Sequence, residues 1–371
     1  MILNKTAGPG NARINDDGLD TAIDRYCLQP SQAQITPLGR GLINDTYLIV
    51  GKKRSFILQE INTRVFSDPE LIIHNMALLS RHISQHAPRQ EPHWKHCDLV
   101  QTLDGCNFFR DRNGRFWRAL RYIEHSACHE QINNRDQARE VGRALGIFHR
   151  QTADLDASKL HIALPGFHVL PDYLKKYDAL PTPDLNRKHS EIEYCRAVIE
   201  AHRPDANFLE QGRDHGDYAI RCIHGDPKAG NVLFEDRTNQ AVSLIDLDTV
   251  GPGLSIVDLG DCLRSCCSMA GNDRAATTIF SFRRCQGLLR GYFQKAPTVL
   301  NTKEQAAIYD ALRLITFELG LRFFSDHLSG NSYFKIEQPD DNLNRALMQF
   351  QLLASIERQE QELRALLSDL S

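Results

Sequence analysis

Apolar positions along this chain recur in two rhythms. In the first third they alternate with polar residues or form short runs between turns, over 35–50, Phe56-Ile57-Leu58, 99–102, 106–110 and 116–123. This pattern predicts strands, the last two joined by the turn Asp111-Arg112-Asn113-Gly114. Later the spacing lengthens to the helical period. Val141, Ala144, Leu145 and Phe148 fall at i, i+3, i+4 and i+7 of a helix over 136–150, and Leu343, Ala346, Leu347 and Phe350 repeat the pattern. Helices are further predicted over 19–26, 67–82, 171–180, 186–202, 275–294, 302–328 and 340–367. Ser67-Asp68-Pro69-Glu70 reads as a capping box, with Glu70 as a cap and not an ion-pair partner. Gly142 and Gly146, four apart, suit close helix packing. Sheet first and helices afterwards predict an α+β chain.

The densest chemistry lies between Ala219 and Asp261. His224, Asp226, Lys228 and Asn231 precede the strand Val232-Leu233-Phe234, and after a turn a second apolar run, 241–245, ends on Asp246, Leu247 and Asp248. Kinase catalytic loops place an Asp, a Lys two residues later and an Asn five residues later, with a second Asp at the end of a following strand. Asp226, Lys228, Asn231 and Asp246 occupy those positions. Phosphoryl transfer needs a carboxylate to orient and deprotonate the attacking hydroxyl and oxygen ligands for magnesium, and one hairpin supplies both. Either half alone reads equally well as a surface turn or a helix cap. Their order and the strands between them favour the phosphotransferase.

HGDPKAGNVLF followed by LIDLDTVGPG and VDLGD resembles the aminoglycoside phosphotransferase and choline kinase superfamily. IDLDTVGPG, with GLINDTYLIV, FILQEINTRVF and LPGFH elsewhere, looks most like its N-acetylhexosamine 1-kinase branch. The resemblance covers about 35–334. It implies a protein-kinase-like two-lobe fold: a small antiparallel-sheet nucleotide lobe over 19–123 and a larger, mainly helical catalytic and substrate lobe over 124–371, while the polar, Gly-, Asn- and Asp-rich composition of 1–18 predicts a disordered lead. It also implies a hinge near 122–126, where Tyr122 and Glu124 hold adenine. By the same resemblance Asp226 is the general base, Asn231 and Asp246 ligate Mg2+, His224 braces the loop, and Lys228 neutralises the transferred phosphoryl group. The donor is ATP, and the acceptor is the anomeric hydroxyl of an N-acetylhexosamine.

Two features depart from the kinase pattern. The turn Gly39-Arg40-Gly41 lets backbone N–H groups approach phosphate, but the third glycine is replaced by Asn44. Asn44 is therefore assigned toward the acceptor as well. Gln59 stands where a kinase places its phosphate-gripping Lys, and is taken as a nucleotide contact. These departures keep a catalytically inactive binding protein open, beside kinases of aminoglycosides, choline-like alcohols or other sugars. If 245–248 stays extended, Asp246 and Asp248 share a strand face, and Asp248 meets the acceptor; the alternative is a turn opened by Asp248. Arg322, within GLRFFSDHL, is a second acceptor candidate, while His168 reads as structural.

With 44 basic and 47 acidic side chains the net charge is −3, which gives no footprint for nucleic acid or an anionic membrane. The ten cysteines form no C-x-x-C pair, so buried reduced thiols are expected. His93 and His96 lie in a proline-containing loop and lack the further ligands zinc needs. No apolar stretch suits a signal peptide or a membrane span, so a cytoplasmic enzyme is expected.

Overall fold

A computed structural model describes residues 17–27, 30–38, 43–52, 54–86, 91–180, 189–270 and 278–370. Gly39 and Gly41 lie outside the described residues. In chain order the elements are α1 (Asp17–Tyr26), β1 (Gln34–Pro37), β2 (Asp45–Val50), β3 (Ser55–Ile61), α2 (Pro69–His86), β4 (Leu99–Val100), β5 (Phe109–Arg110), β6 (Phe116–Arg121), β7 (Ser126–Cys128), α3 (Arg135–Gln151), α4 (Leu170–Asp178), α5 (His189–His202) and α6 (Phe208–Asp214). Then follow β8 (Ile220–Ile223), β9 (Val232–Glu235), β10 (Ala241–Leu244), β11 (Gly251–Leu254), α7 (Ser255–Cys267), β12 (Ser268–Ala270), β13 (Thr278–Phe280), α8 (Phe282–Lys295), α9 (Thr302–Ala306), α10 (Ile308–Leu328), α11 (Asp341–Glu357) and α12 (Glu360–Leu370).

The chain divides into two compact units. The first comprises Met1–Gln131, Ile147–Leu164 and Arg221–Pro252, and the second Ile132–Gly146, Pro165–Ile220 and Gly253–Ser371. In the first, an antiparallel six-stranded sheet runs β1-β2-β3-β6-β4, with β5 also on β6. Its strands alternate as pleated strands must. Phe56 and Leu58 of β3 and Trp117 and Ala119 of β6 point to one face, where Leu19, Ala22, Ile23 and Tyr26 of α1 bury against them. Those four residues fall at i, i+3, i+4 and i+7, so α1 gives the sheet one continuous apolar stripe. Residues 57, 59, 118 and 120 therefore face the other way, toward α2, where Met76 touches Arg118. A second sheet, β10-β9-β7, carries the hairpin that bears Asn231 and leads to Asp246.

The second unit is mainly helical, with α10 packed against α11, α7 and α4. The contact between α3 and α8 uses glycines on both sides. A Cβ on Gly142 of α3 would stand 1.9 Å from the Leu288 carbonyl of α8, and one on Gly291 of α8 would stand 2.0 Å from the Arg139 carbonyl of α3. Gly291→Ala is therefore expected to cost about 1–3 kcal/mol, because backbone must move to admit the methyl. Urea unfolding checks this, as a lower midpoint at unchanged slope.

Several boundaries correct the sequence reading. The helix expected over 275–294 begins at Phe282, capped by Ser281, and residues 278–280 are strand. The helix over 302–328 breaks at Ala307, and that over 340–367 breaks after Glu357. Glu70 forms an ion pair with Arg110 at 3.2 Å. Both side chains are about half exposed, so the pair contributes under about 1 kcal/mol. All ten cysteines are free thiols, and burial pushes Cys97 up to about 12. Among the described residues no helix is long and apolar enough to cross a membrane.

Candidate active site

The hairpin from β8 to β10 folds as its local chemistry dictates. Gly225 takes φ 85°, and a Cβ there would meet the Thr249 carbonyl at 2.7 Å, so only glycine lets the loop pass. The Lys228 N–H donates to the Asp226 carbonyl and the Asn231 N–H to the Lys228 carbonyl, both at 2.9 Å. These bonds curl 226–231 into a turn that returns at Val232. Asn231 then donates its side-chain Nδ2 to the Asp226 carbonyl at 2.8 Å and to Asp226 Oδ2 at 3.2 Å. Lys228 Nζ reaches the same Oδ2. The spacing of two and five residues thus places a cation and an amide on one carboxylate.

His224 is fully buried beneath this loop. Its Nδ1 accepts from the Asp226 N–H at 3.3 Å, so Nε2 carries the proton and donates to the Ile245 carbonyl at 3.1 Å. One imidazole ties the Asp226 loop to the end of the strand that delivers Asp246. The Ile245 N–H also donates to the Asn231 carbonyl at 2.9 Å, and Thr249 Oγ1 donates to the His224 carbonyl at 2.9 Å.

Asp246 sits in the left-handed region, φ 65° and ψ 55°, and Leu247–Thr249 follows as a 3-10 turn. The premise of an extended 245–248 is thereby corrected, and with it the acceptor role of Asp248. Asp248 is 4 % exposed, and its carboxylate is bound by the Arg118 guanidinium and by Asn44 Nδ2 at 2.6 Å. Burial raises its pKa, while Arg118 and Asn44 act in the opposite direction. Asn44 is corrected likewise, since it is buried and its Oδ1 accepts from the Asn62 N–H at 2.9 Å.

Gln59 is also not placed to touch nucleotide. Its Oε1 accepts from Arg118 Nε at 3.0 Å and Nη2 at 2.8 Å, and its Nε2 donates to Thr46 Oγ1 at 3.1 Å. Residues 59 and 118 are register partners across β3 and β6, so they meet on one sheet face. The result is a buried ladder, Thr46-Gln59-Arg118-Asp248-Asn44, that fastens the sheet to the turn after Asp246. Arg118, fully buried, was not singled out by the sequence reading. An arginine at a core-facing position of a strand was the available signal.

Two oxygen-bearing groups at the site remain unengaged. Asn231 Oδ1 is buried without a hydrogen-bond partner, and among the described residues nothing bonds the half-buried Asp246 carboxylate. A buried acceptor left unpaired costs about 1–3 kcal/mol. An amide oxygen and a carboxylate are hard donors, so these residues fit a hard divalent cation.

Tyr122 is half-buried and Glu124 exposed, in the connection from β6 to β7. Ser126 Oγ donates to the Ile123 carbonyl at 2.7 Å there. In the second unit, Arg322 pairs with Glu318 at 3.7 Å and stacks over Phe167, Tyr173 and Phe334 at 5.2, 5.0 and 5.8 Å. His168 Nδ1 lies 3.1 Å from the same Glu318. Burial works to lower the His168 pKa, but the Glu318 carboxylate outweighs it and the pKa is raised above 6.5. A raised folded-state pKa means this contribution is complete below the unfolded value and lost as pH rises through the folded one. His168→Gln is therefore expected to flatten the fall in melting temperature on the alkaline side of 6.5, as thermal unfolding across pH checks. A further slope of the same sign comes from His202, whose pKa burial lowers but the Glu357 carboxylate raises on balance.

A sequence-family model described as a phosphotransferase enzyme family, APH, matches residues 34–292, more than half of the 371-residue chain. The protein belongs to that family. Solved structures share its fold. A microcompartment-associated aminopropanol kinase aligns with TM-score 0.64 at 16% identity, covering 93% of this chain and 97% of its own. Amicoumacin kinase in complex with AMP-PNP, Ca2+ and Ami aligns with TM-score 0.59 at 18% identity, covering 92% of each. A choline/ethanolamine kinase family protein from Mesorhizobium loti gives 0.54 at 14% identity, covering 95% and 98%. The architecture is the α+β, kinase-like one, an antiparallel sheet followed by a larger helical region.

Proposed function

We propose that this phosphotransferase moves the γ-phosphoryl group of ATP to a hydroxyl of a small molecule, with a sugar, an N-acetylhexosamine at its anomeric hydroxyl, as acceptor. The observation that carries the transfer is the pairing of an unengaged, buried Asn231 Oδ1 with the unengaged Asp246 carboxylate, beside a carboxylate held by Lys228 and Asn231. Asn231 and Asp246 would hold Mg2+, which would offset the negative charge of the phosphates. Asp226 orients the acceptor hydroxyl and takes its proton as the oxygen attacks phosphorus. Lys228, already on Asp226 Oδ2, supplies positive charge at the transferring group. His224 holds both carboxylate-bearing segments in register through its two ring nitrogens. Tyr122 and Glu124 are assigned to adenine.

The sugar reading rests on the branch resemblance. The rival is an aminoglycoside or an amino alcohol, the latter being the kind of acceptor named for the aminopropanol kinase and the choline/ethanolamine kinase family protein. An ADP-release screen of purified protein against N-acetylhexosamines, other sugars, aminoglycosides and amino alcohols separates them. The expected result is turnover with an N-acetylhexosamine alone, and turnover only with amines would reverse the assignment. In the same assay Asp246→Ala is expected to abolish turnover with circular dichroism unchanged, and excess chelator to do the same to the native protein. Full activity in chelator would remove the metal from the mechanism.

A further inference from the structure

The first unit contains a second concavity that shares no residue with the hairpin site. It has a volume of about 1070 Å3, close to the upper limit for small-molecule sites. Its walls come from the ends of α1, β2 and β3, from β4, and from one stripe of α2: Ala77, Ser80, Arg81 and Ser84. That stripe runs at i, i+3, i+4 and i+7, so it is one helix face.

The charge of this cavity is one-sided. Lys52, Arg54 and Arg81 line it, and no carboxylate does among the described residues. None of the three has an acidic partner among the described residues. Arg54 is held in place instead by donating Nη2 to the Tyr26 carbonyl, with its guanidinium 5.7 Å from the Phe56 ring. Asp98, bonded to Ser80 of the wall at 2.7 Å, is already paired with Arg121, so three cations lining one cavity raise the local concentration of anions. Leu99, Val100 and Leu103 add apolar wall, and Leu103 is 51% exposed. Charge on one side and apolar surface on the other suit an amphiphilic anion.

The adjoining face of α2 carries contacts to the active-site loop. Asn75 Nδ2 donates to the Val250 carbonyl at 2.8 Å, and Met76 Sδ accepts from Arg118 Nη1 at 3.1 Å, the guanidinium that holds Asp248. We propose that the cavity binds a small anion, a phosphate or carboxylate on an aromatic or aliphatic body, and that its occupancy acts through α2 on nucleotide affinity. The step goes beyond the phosphotransferase reading. Only its coupling half leans on that reading, through the expectation that nucleotide binds beside Asp246.

The test uses the full chain and three probes: phenyl phosphate, benzoate and neutral phenol. Ligand-observed NMR is run with saturating ADP and magnesium, so that phosphate-binding groups at the hairpin are already occupied. Phenyl phosphate or benzoate is expected to bind and phenol not, and which anion binds more tightly identifies the head group. The exposed pair Lys52→Gln and Arg81→Gln is expected to weaken binding about tenfold or more, with melting temperature unchanged. Calorimetry is expected to show the ADP dissociation constant shifting about fivefold when the anion is present, and the anion's shifting equally when ADP is. Equal binding of phenol, or equal binding by the charge-removed protein, would overturn the site. Binding with an unchanged ADP constant would overturn the coupling. If ADP itself fails to bind, the nucleotide reading falls, whereas the comparison of native and charge-removed protein still reads the cavity.

Discussion

Asp226→Asn is expected to lower turnover by about two to four powers of ten, or about 3 to 5.5 kcal/mol of transition-state stabilisation. The substitution keeps the shape of the side chain and removes its basicity. Asn231 Nδ2 still finds the Asp226 main-chain carbonyl at 2.8 Å, and His224 still accepts the backbone N–H, so the loop stays closed. Nucleotide affinity is expected to change little, because the groups assigned to metal and phosphates are untouched. Steady-state kinetics on the acceptor found in the ADP-release screen, with ADP binding measured separately, check both statements. Near-native turnover would remove Asp226 from the proton transfer.

The second large effect concerns stability. Arg118→Met is expected to cost about 3–5 kcal/mol, because it strands a buried carboxylate and leaves the Gln59 carbonyl oxygen without its donor. Methionine retains most of the apolar stem volume, so the loss measures the guanidinium. Lysine is expected to rescue little, since one ammonium cannot meet Gln59 Oε1 and Asp248 together as the guanidinium fork does. Combining Arg118→Met with Asp248→Asn is expected to recover part of the loss, because the second change removes the uncompensated charge. Urea unfolding of the four proteins closes this cycle. Recovery identifies the pair as the cause, and additive losses would point to packing alone. For Asp248→Asn by itself the expected outcome is lower stability, with KM for the acceptor unaltered, the outcome that the turn reading of the sequence implies.

The sequence carried most where interactions are local. The Asp226, Lys228 and Asn231 cluster is legible because a turn of six residues fixes which side chains meet, whatever surrounds it. The same holds for α1, whose four buried positions follow from helical period, and for the alternation that puts Phe56 and Leu58 on one side of β3. Gly142 and Gly146 were readable as a site of close packing, though their counterpart Gly291 on α8 was not.

What the sequence missed depends on register or on a single backbone angle. Glu70 looked like a cap because Arg110, 40 residues away, is brought beside it only by tertiary folding. Residues 278–280 looked helical because three residues define no period. Asp248 looked available because two residues along an extended chain share a face, and that inference fails when Asp246 turns into the left-handed region.

By itself, then, the amino-acid order determined the α+β succession, the packing stripe of α1 and the meeting of His224, Asp226, Lys228 and Asn231 in one turn, each set by neighbours within one turn or one pleat. Tertiary structure alone decided what Gln59, Asn44 and Asp248 do. Pairing of β3 with β6 puts Gln59 opposite Arg118, 59 residues apart, and the turn after Asp246 delivers a carboxylate from 130 residues away to the same guanidinium. A charge buried in a core must be answered by an opposite charge or by donors. Which residues answer it is fixed by strand register and loop path.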